Sequence, residues 1–374
     1  MYITKIACVP VDIPYRKTFR ISGGGADVNR NVLVKVVTDE GISGVGEATP
    51  FPAYSEETQG TVLHIIREVL APALLGQDPR DLDRLDAIME NTIEGHPFAK
   101  GGLSLALYDL AGKAMGVPVY QLLGGKRMDR VPFNATVGIA PLDEMVADAV
   151  ALVQAGFRDI KIKIGYDLQT DLARLRAIRQ AVGPDIAIRV DANQGYRSGD
   201  ALPILRQMES LRLLWFEQPV PRWDRDGMAR LARELETNIL ADESVATPAD
   251  VMWLARHEAA DVINIKVNKY GLGNARKIAA VAAAANLPCM VGSMMTMGLA
   301  TAASIHFCCA HDFPYISELD GPLYLADDIL VGNPYNEPPA GEKAWPVPEG
   351  PGFGVTLKPI YENALDAELE RANP

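Results

Sequence analysis

The sequence predicts an α/β protein in which a small α+β domain precedes a parallel β/α barrel. The pattern changes near Val131, from a hairpin and helices to strands that alternate with helices. The ends of six successive apolar runs are then spaced by 28, 26, 25, 24 and 26 residues, at Lys163, Asp191, Glu217, Asp242, Lys266 and Gly292. Eight strands with a regular period of this length are what a closed parallel barrel requires.

The α+β domain is predicted over residues 1–125. Residues 31–38 are β-branched and apolar, Asp39-Glu40-Gly41 forms a turn, and residues 42–48 resume the strand pattern. We therefore expect an antiparallel hairpin, with the start of the chain as a third strand. Helical periodicity follows over residues 56–75, 81–93 and 103–115.

The barrel is predicted over residues 126–325, and residues 326–374 form a C-terminal segment. The eight strands of the barrel are the runs VPFNATVG, DIKIKIG, IAIRVDANQG, LLWFEQPV, NILADES, DVINIKVNK, PCMVGSM and YISELDG. Helical stretches such as 142–155 and 168–182 separate them. A doubly wound open sheet is the alternative. It is disfavoured because the sequences at 44–46 and 271–273 lack the rest of the G-x-G-x-x-G pattern expected after an early strand.

The composition excludes several classes of function. The formal charge of the 374 residues is −12 and no basic cluster stands out, so we expect neither a nucleic-acid nor a membrane partner. Four cysteines without a C-x-x-C pair indicate neither a zinc site nor a redox motif. The uncharged stretch 278–305 is long enough for a membrane span, but Asn286-Leu287-Pro288 breaks it. We therefore expect this stretch to form a helix, a strand and a second helix in a soluble, cytoplasmic protein.

Charged side chains recur at the carboxyl ends of the predicted strands, where the active site of a barrel lies. Buried parallel strands are normally apolar throughout, and charges are rarely buried unless they are paired or bind a metal. One such residue could simply mark where a strand surfaces into a loop, but five successive strands with the same feature indicate a site. The residues are Lys161, Lys163, Asp191, Asn193, Glu217, Gln218, Asp242, Glu243, Lys266, Asn268 and Lys269, with Glu318 and Asp320 on strand 8.

Three of these carboxylates, Asp191, Glu217 and Asp242, come from adjacent strands 3, 4 and 5. Like charges held close together raise one another's pKa, so a cation is expected among them. An all-oxygen ligand set without His or Cys favours Mg²⁺, with Mn²⁺ possible.

Two lysines face each other in this arrangement, because strands 2 and 6 are four apart in a ring of eight. Lys163 and Lys266 should flank the metal, and Lys161 shares a strand face with Lys163. The charge of Lys161 should lower the pKa of Lys163, which favours a general base. A Schiff-base aldolase and a non-catalytic binding module stay open as other classes.

The ordered set K-I-K-I-G, D-A-N-Q-G, F-E-Q-P, A-D-E-S and V-I-N-I-K resembles the enolase superfamily, and within it the muconate-lactonizing-enzyme subgroup. The resemblance implies a (β/α)7β modified TIM barrel with an α+β capping domain, onto which the C-terminal segment packs. It also implies specificity loops near residues 18–30 and 50–58, and a homo-oligomer, either a dimer or an octamer.

The resemblance further implies the role of each residue. Asp191, Glu217 and Asp242 would bind Mg²⁺, Lys163 and Lys266 would be the acid/base pair, and Lys161 would assist Lys163 and the carboxylate of a small-molecule substrate. Removal of the proton α to that carboxylate would give an enolate stabilised by the metal. Reprotonation gives racemisation or epimerisation, loss of a β-group gives dehydration, and cycloisomerisation passes through the same enolate.

Strand 8 bears on the choice among these reactions. Its E-L-D-G-P lies between the E-L-x-G-P of cycloisomerases and the D-x-D of dipeptide epimerases. Glu318 and Asp320 share a strand face and are expected to bind a substrate cation, although Asp320 could instead cap the turn. Thr296 stands where relatives often carry Glu. We favour a racemase or epimerase of an amino-acid derivative or dipeptide.

The remaining candidate substrate contacts are peripheral. Gly23-Gly24-Gly25 is either a mobile lid, with Arg20 or Arg30 meeting an anionic group, or a slack hairpin turn. Tyr54 and Phe51 either wall the pocket or pack in the core. Asn193 lies beside the first metal ligand, and Ser293 and Thr296 are the candidates on strand 7.

Overall fold

The computed structural model describes residues 1–52 and 54–371. An antiparallel sheet opens the chain, with β1 (Ile3–Ile21), β2 (Gly24–Thr38) and β3 (Ser43–Ala48) in the order β1-β2-β3. The hairpin and the third strand predicted from the sequence are therefore confirmed. The β1–β2 hairpin is longer than expected, because its pairing runs from Ile3↔Thr38 to Ile21↔Gly24.

Helices pack on one face of this sheet. They are α1 (Gln59–His64), a π-helical segment (Ile65–Leu70), α2 (Ala71–Leu74), α3 (Leu82–Thr92), α4 (Pro97–Met115) and α5 (Val119–Leu122). The helix predicted over 56–75 is thus interrupted, and the one predicted over 103–115 begins earlier. Helix α4 lies directly on β3: a Cβ on Gly44 would come within 2.2 Å of the Ala106 carbonyl oxygen. Only glycine permits this approach.

A curled parallel sheet follows, and it confirms the predicted barrel with a cap. In the described residues it has seven strands in sequential order: β5 (Ala135–Val137), β6 (Asp159–Lys163), β7 (Ala187–Asp191), β8 (Leu213–Glu217), β9 (Asn238–Ala241), β10 (Val262–Ile265) and β11 (Cys289–Val291). The helices between and after them are α6 (Leu142–Gln154), α7 (Leu168–Val182), α8 (Ser198–Glu209), α9 (Arg225–Glu234), α10 (Pro248–Arg256), α11 (Val267–Ala284) and α12 (Gly298–Ala310).

The eighth predicted strand is reduced to a bridge that closes the ring. Glu318 N donates to Val291 O at 2.8 Å, and Asn134 N donates to Ser317 O at 3.1 Å, so this segment joins β11 to the first strand. The first predicted strand is also shorter than expected. Its first half forms β4 (Arg130–Pro132), which pairs with β12 (Ala344–Pro346).

Aromatic stacking explains the division of that first strand. The rings of Phe133 and Trp345 are parallel, with centroids 4.4 Å apart. The apolar run 131–137 therefore pairs with two parts of the fold: its first half with the C-terminal segment and its second half with the barrel. The final helix, α13 (Pro359–Arg371), packs on β1, and its Asp366 accepts from Lys35 Nζ of β2 at 2.6 Å. The domain boundaries 1–125, 126–325 and 326–374 stay predictions.

The uncharged stretch 278–305 folds as predicted, as the end of α11, strand β11 and the start of α12. Within the described part of the chain, none of the helices combines the length and apolar character that crossing a bilayer requires.

A buried histidine ties α12 to both neighbouring parts of the fold. His306 Nδ1 accepts from Tyr120 N at 3.2 Å, and Nε2 contacts Phe353 O at 3.1 Å, so the neutral Nε2–H form satisfies both partners. Burial lowers the pKa of His306 to about 4.

We expect the free energy of unfolding to fall on acidification, by about 2 kcal/mol between pH 7 and pH 5 for this residue. The reason is that the unfolded chain binds a proton near pH 6.5, which folded His306 accepts only near pH 4. Urea unfolding at both pH values measures the difference. His306→Gln can make both hydrogen bonds without titrating, so this variant should lose that part of the pH dependence. An unchanged dependence would contradict the assignment.

Candidate active site

Three buried carboxylates meet at the carboxyl ends of adjacent barrel strands. Asp191 and Glu217 are the last residues of β7 and β8 and are paired in register, and Asp242 follows β9 directly. The three side chains each offer an oxygen within 4.8 Å of the others. Their exposed fractions are at most 1%. The predicted acidic triad is therefore brought together.

Lys161 lies between two members of the triad and strand 8. Its Nζ is 2.8 Å from Asp191 Oδ2, 2.8 Å from Glu217 Oε2 and 2.9 Å from Glu318 Oε1. Burial by itself would lower the pKa of Lys161, but the three carboxylates outweigh it and raise this pKa well above the ordinary value. The ammonium group thus sits where the carboxylates converge.

The two lysines predicted to oppose each other both reach one cavity. Lys163 Nζ is 2.6 Å from Asp191 Oδ2 and 2.9 Å from Asn193 Oδ1. Lys266 follows β10, and its Nζ is 2.6 Å from Asp242 Oδ2. Burial would lower the pKa of Lys266, but the Asp242 carboxylate outweighs it and the pKa is raised.

The region carries excess negative charge. In the described chain, six carboxylates and four lysines are buried around the triad, which leaves a formal charge of −2. Burial and the neighbouring Asp242 and Asp191 raise the pKa of Glu243 to about 8, and burial and Asp191 raise that of Glu217 well above its ordinary value. A divalent cation would neutralise this excess, and an all-oxygen donor set suits Mg²⁺. The residues fit the expected metal.

Amide and hydroxyl groups from neighbouring strands and the cap hold the triad in place. Asn264 Nδ2 donates to Glu217 Oε1 at 3.0 Å. Gln218 Oε1 accepts from the backbone N of Asp242 at 3.1 Å. Tyr54 OH donates to Asp242 Oδ1 at 2.7 Å. The carboxylates are consequently oriented before any ligand arrives, as supporting hydrogen bonds do in metal sites.

The cavity beside the triad has a volume of about 510 Å³ and is partly open to solvent. It has a polar floor, formed by the lysines, and an aromatic and sulfur-containing wall, formed mainly by the capping domain and the strand-7 loop. Its lining residues are Phe19, Ile21, Phe51, Tyr54, Thr136, Lys161, Lys163, Asn193, Lys266, Ser293, Met294, Met295, Glu318, Asp320 and Tyr324.

The two acids of strand 8 play different parts. Glu318 is engaged with Lys161, at 3.0 Å through Oε2. Asp320 Oδ2 accepts from Tyr324 OH at 3.0 Å, and its side chain makes no capping hydrogen bond to the following turn. Burial and the Glu318 charge raise the pKa of Asp320. In the described chain, Asp320 therefore lines the cavity without an ion pair to a cationic side chain.

Two predicted substrate contacts lie elsewhere. Arg20 is exposed and does not line the cavity, because it belongs to the outer edge of the β1–β2 hairpin. Thr296 is buried behind the wall, where its hydroxyl meets that of Thr301 at 2.9 Å. Asn193, Tyr54 and Ser293 do line the cavity, as predicted.

The glycine run of the hairpin is a turn that docks on the barrel. Ser22 and Gly23 connect β1 to β2, and Ser22 Oγ donates to Asn193 O at 2.9 Å. Sequence reasoning missed Phe19, Ile21, Thr136, Met294, Met295 and Tyr324. Apolar residues in a loop or hairpin carry no signal that separates a cavity wall from the core.

Two family profiles match the chain. "Mandelate racemase / muconate lactonizing enzyme, N-terminal domain" covers residues 3–124, and "Enolase C-terminal domain-like" covers residues 144–361. The chain belongs to the muconate-lactonizing-enzyme subgroup of the enolase superfamily. The resemblance read from the sequence motifs is thereby confirmed.

Named members of the subgroup match over nearly the whole chain. N-succinyl-L-Arg/Lys racemase of Bacillus cereus is 35% identical over 96% of both chains. The structure of dipeptide epimerase from Cytophaga hutchinsonii, complexed with Mg and D-Ala-L-Val, has a TM-score of 0.92 at 31% identity, over 98% of each chain. Muconate lactonizing enzyme from Pseudomonas fluorescens, complexed with muconolactone, has a TM-score of 0.91 at 32% identity, over 97% of this chain and 98% of that one.

Proposed function

We propose that the protein is a Mg²⁺-dependent racemase or epimerase of an amino-acid derivative or dipeptide. The observation that carries the proposal is that β6 and β10, four strands apart in the ring, bring Lys163 and Lys266 to one cavity beside a triad of buried carboxylates. A catalyst that inverts a carbon centre needs a proton acceptor on one face and a proton donor on the other.

Asp191, Glu217 and Asp242 would hold the metal. When bound, Mg²⁺ supplies positive charge that stabilises the enolate of the substrate carboxylate. Mn²⁺ accepts the same ligands and should be compared with it. Lys161 lies next to this position and contributes its own positive charge to the substrate carboxylate.

The proton transfers belong to the other two lysines. One of them removes the α-proton as the neutral amine, and the other, as the ammonium, returns a proton to the opposite face. Asn193, 2.9 Å from Lys163 Nζ, and Tyr54, whose ring lies under Lys266 Nζ at 4.5 Å from its centroid, orient the two amines. The buried site limits access of water to the carbanion.

The charges of the cavity favour a substrate that carries a cationic nitrogen over one that carries none. Among the described residues, its cationic lining consists of Lys161, Lys163 and Lys266, which the metal and the proton transfers already occupy. The same lining holds the Asp320 carboxylate and the ring of Tyr324, a pair that suits a cationic nitrogen. The relatives named as dipeptide epimerases act on substrates of this kind. Muconate, a dicarboxylate, lacks that nitrogen.

Incubation with Mg²⁺ in D₂O tests the proposal. The panel consists of dipeptides, N-acyl amino acids, proline derivatives and cis,cis-muconate, followed by NMR of the α-proton and by chiral analysis. We expect deuterium at the α-carbon together with inversion for at least one amino-acid derivative, and loss of both on addition of EDTA. Turnover of cis,cis-muconate without such exchange would overturn the proposal. Borohydride trapping of a substrate at Lys163 would instead indicate a Schiff-base aldolase.

The family also supports proposals on assembly and location. We propose a homo-oligomer, a dimer or an octamer, in the cytoplasm, with domains over residues 1–125 and 126–325. Sedimentation of the purified protein measures the oligomeric state, and a monomer at micromolar concentration would contradict it.

A further inference from the structure

We propose that the capping domain positions Lys266, but not Lys163, through a buried set of side chains that we call the clasp: Asn29, Asn31 and Glu47. The inference rests on the proposed function, because it assigns the clasp to one of the two proton-transfer lysines. Its starting point is an asymmetry in what surrounds each lysine.

Lys163 is held by the barrel. In the part of the chain that the structure describes, its Nζ pairs with Asp191 and Asn193, which end and follow β7. The capping domain reaches this side through Ser22, which bonds the backbone oxygen of Asn193 and not its side chain. Among the residues that the structure describes, no hydrogen bond or ion pair joins the cap to the Lys163 ammonium group.

Lys266 lies against the capping domain. Its Nζ is 3.4 Å from the hydroxyl of Tyr54 and 3.8 Å from Met294 Sδ. Tyr54 belongs to the loop that follows β3. Met294 belongs to the barrel, but its buried side chain packs into the hydrophobic core of the cap rather than that of the barrel. The position of Met294 therefore depends on how the strand-7 loop meets the cap.

The side chains of the clasp hold the strand-7 loop through hydrogen bonds to backbone atoms of the loop and of the start of α12. Glu47 on β3 accepts from Met297 N at 2.7 Å and from Ala300 N at 2.9 Å, through its two carboxylate oxygens. Asn29 on β2 donates to Met295 O at 2.8 Å. Asn31 donates to Glu47 Oε1 at 2.8 Å and joins the two contacts. All three side chains are at most 4% exposed.

These bonds replace regular structure in the loop. Among the described residues, the segment between β11 and α12 belongs to no helix or strand, and the partly buried Met295 carbonyl depends on Asn29, at 2.8 Å, and on Asn31, at 3.4 Å, for its side-chain hydrogen bonds. Methionine is flexible and follows its backbone, so a shift of the loop moves Met294 away from Lys266. Lys266 Nζ would then keep its ion pair with Asp242 but lose the Met294 contact on its other side, and its position toward the substrate would no longer be fixed, whereas Lys163 would be unaffected.

The test compares proton exchange of the two enantiomers of one substrate in D₂O. Each lysine removes the proton from one enantiomer, and Lys163→Ala and Lys266→Ala identify which. In Asn29→Ala we expect the initial exchange of the Lys266 enantiomer to fall roughly tenfold or more, since a misplacement of about 1 Å can cost about 100-fold. Exchange of the Lys163 enantiomer and the affinity for Mg²⁺ should stay within about twofold of the parent protein.

Ser22→Ala is the matched control. It also removes a hydrogen bond between cap and barrel, but on the Lys163 side, so the exchange of the Lys266 enantiomer should be unchanged. Asn31→Ala gives a second variant: it removes the bond to Glu47 and the longer bond to Met295 O, and it leaves the bond from Asn29 to Met295 O in place. Thermal unfolding shows whether each variant is folded.

The assignment of the clasp would be overturned if the exchange rates of both enantiomers fell equally. It would also be overturned if Asn29→Ala and Asn31→Ala were folded and neither lowered the exchange rate of the Lys266 enantiomer. Absence of exchange for both enantiomers in the parent protein is a different result, because it would overturn the proposed function itself.

Discussion

Replacing either Lys163 or Lys266 with alanine should abolish racemisation, with a loss of about 10²–10⁴-fold, the usual contribution of a general acid or base. Each variant lacks the acceptor for one enantiomer and the donor for the other, so inversion fails in both directions. Each variant should still exchange the α-proton of one enantiomer without inverting it. The enantiomer that Lys163→Ala exchanges should be the opposite of the one that Lys266→Ala exchanges. Chiral chromatography follows inversion, and NMR in D₂O follows exchange.

The affinity for Mg²⁺ separates this effect from damage to the metal site. Lys163 Nζ contacts Asp191 Oδ2 at 2.6 Å, and Lys266 Nζ contacts Asp242 Oδ2 at 2.6 Å. Because each ammonium competes with the metal for a carboxylate, both variants should bind Mg²⁺ at least as tightly as the parent protein. Lys35→Ala is a control, since Lys35 is a buried lysine of the cap that pairs with Asp366. Full racemisation in either active-site variant would refute the two-lysine mechanism.

The candidate catalytic residues could be predicted from the sequence because charged side chains are unexpected in buried strands. Lys161 and Asp191 stand in strands whose other residues are apolar, and charges there require partners or a metal. The register of a parallel barrel then places the ends of successive strands at one rim, as the pairing of Asp191 with Glu217 shows. Strand order and period thus predicted which carboxylates meet.

The wall of the cavity was not accessible in the same way. Phe19, Tyr324 and Met294 come from the hairpin, the segment after strand 8 and the strand-7 loop, and each has the composition of ordinary core. Their position depends on how the cap docks, which is set by contacts between residues far apart in the chain, such as Glu47 with Met297. Local patterns carry no information about such contacts. Arg20 is a further example: either it or Arg30 was expected to meet an anionic group if the glycine run formed a lid, and in the structure its side chain is exposed and lies outside the cavity lining.

The first strand of the barrel could not be bounded from the sequence, because its residues can pair either with the barrel or with the C-terminal segment. The run 131–137 is apolar enough for one strand, yet Phe133 stacks on Trp345, more than two hundred residues later. The tail strand β12 consequently takes the first half of the run. A distant aromatic partner outweighed the local preference for a single strand.

Removal of one charge from the triad should weaken the binding of Mg²⁺ by about 100-fold or more. Asp191→Asn is the sharpest variant, because Asp191 is fully buried and its side chain contacts both Lys161 and Lys163. The amide keeps the shape of the side chain but removes its charge, so that two lysines then face a smaller negative charge and repel the metal more strongly. Isothermal titration with Mg²⁺, and activity as a function of Mg²⁺ concentration, should shift together.

Asp159→Asn is the control for Asp191→Asn, because it removes the charge of a buried carboxylate that is not part of the triad. Asp159 lies at the other end of the same barrel, on β6, and accepts from Arg189 Nε at 2.6 Å. Its replacement leaves the buried Arg189 guanidinium without its anionic partner, so the free energy of unfolding should fall by about 3–5 kcal/mol while the affinity for Mg²⁺ is retained. If Asp191→Asn binds Mg²⁺ as tightly as the parent protein, the triad is not the metal site. The lysines would then have to form an enolate without a divalent cation, for which the buried excess of carboxylates offers no support.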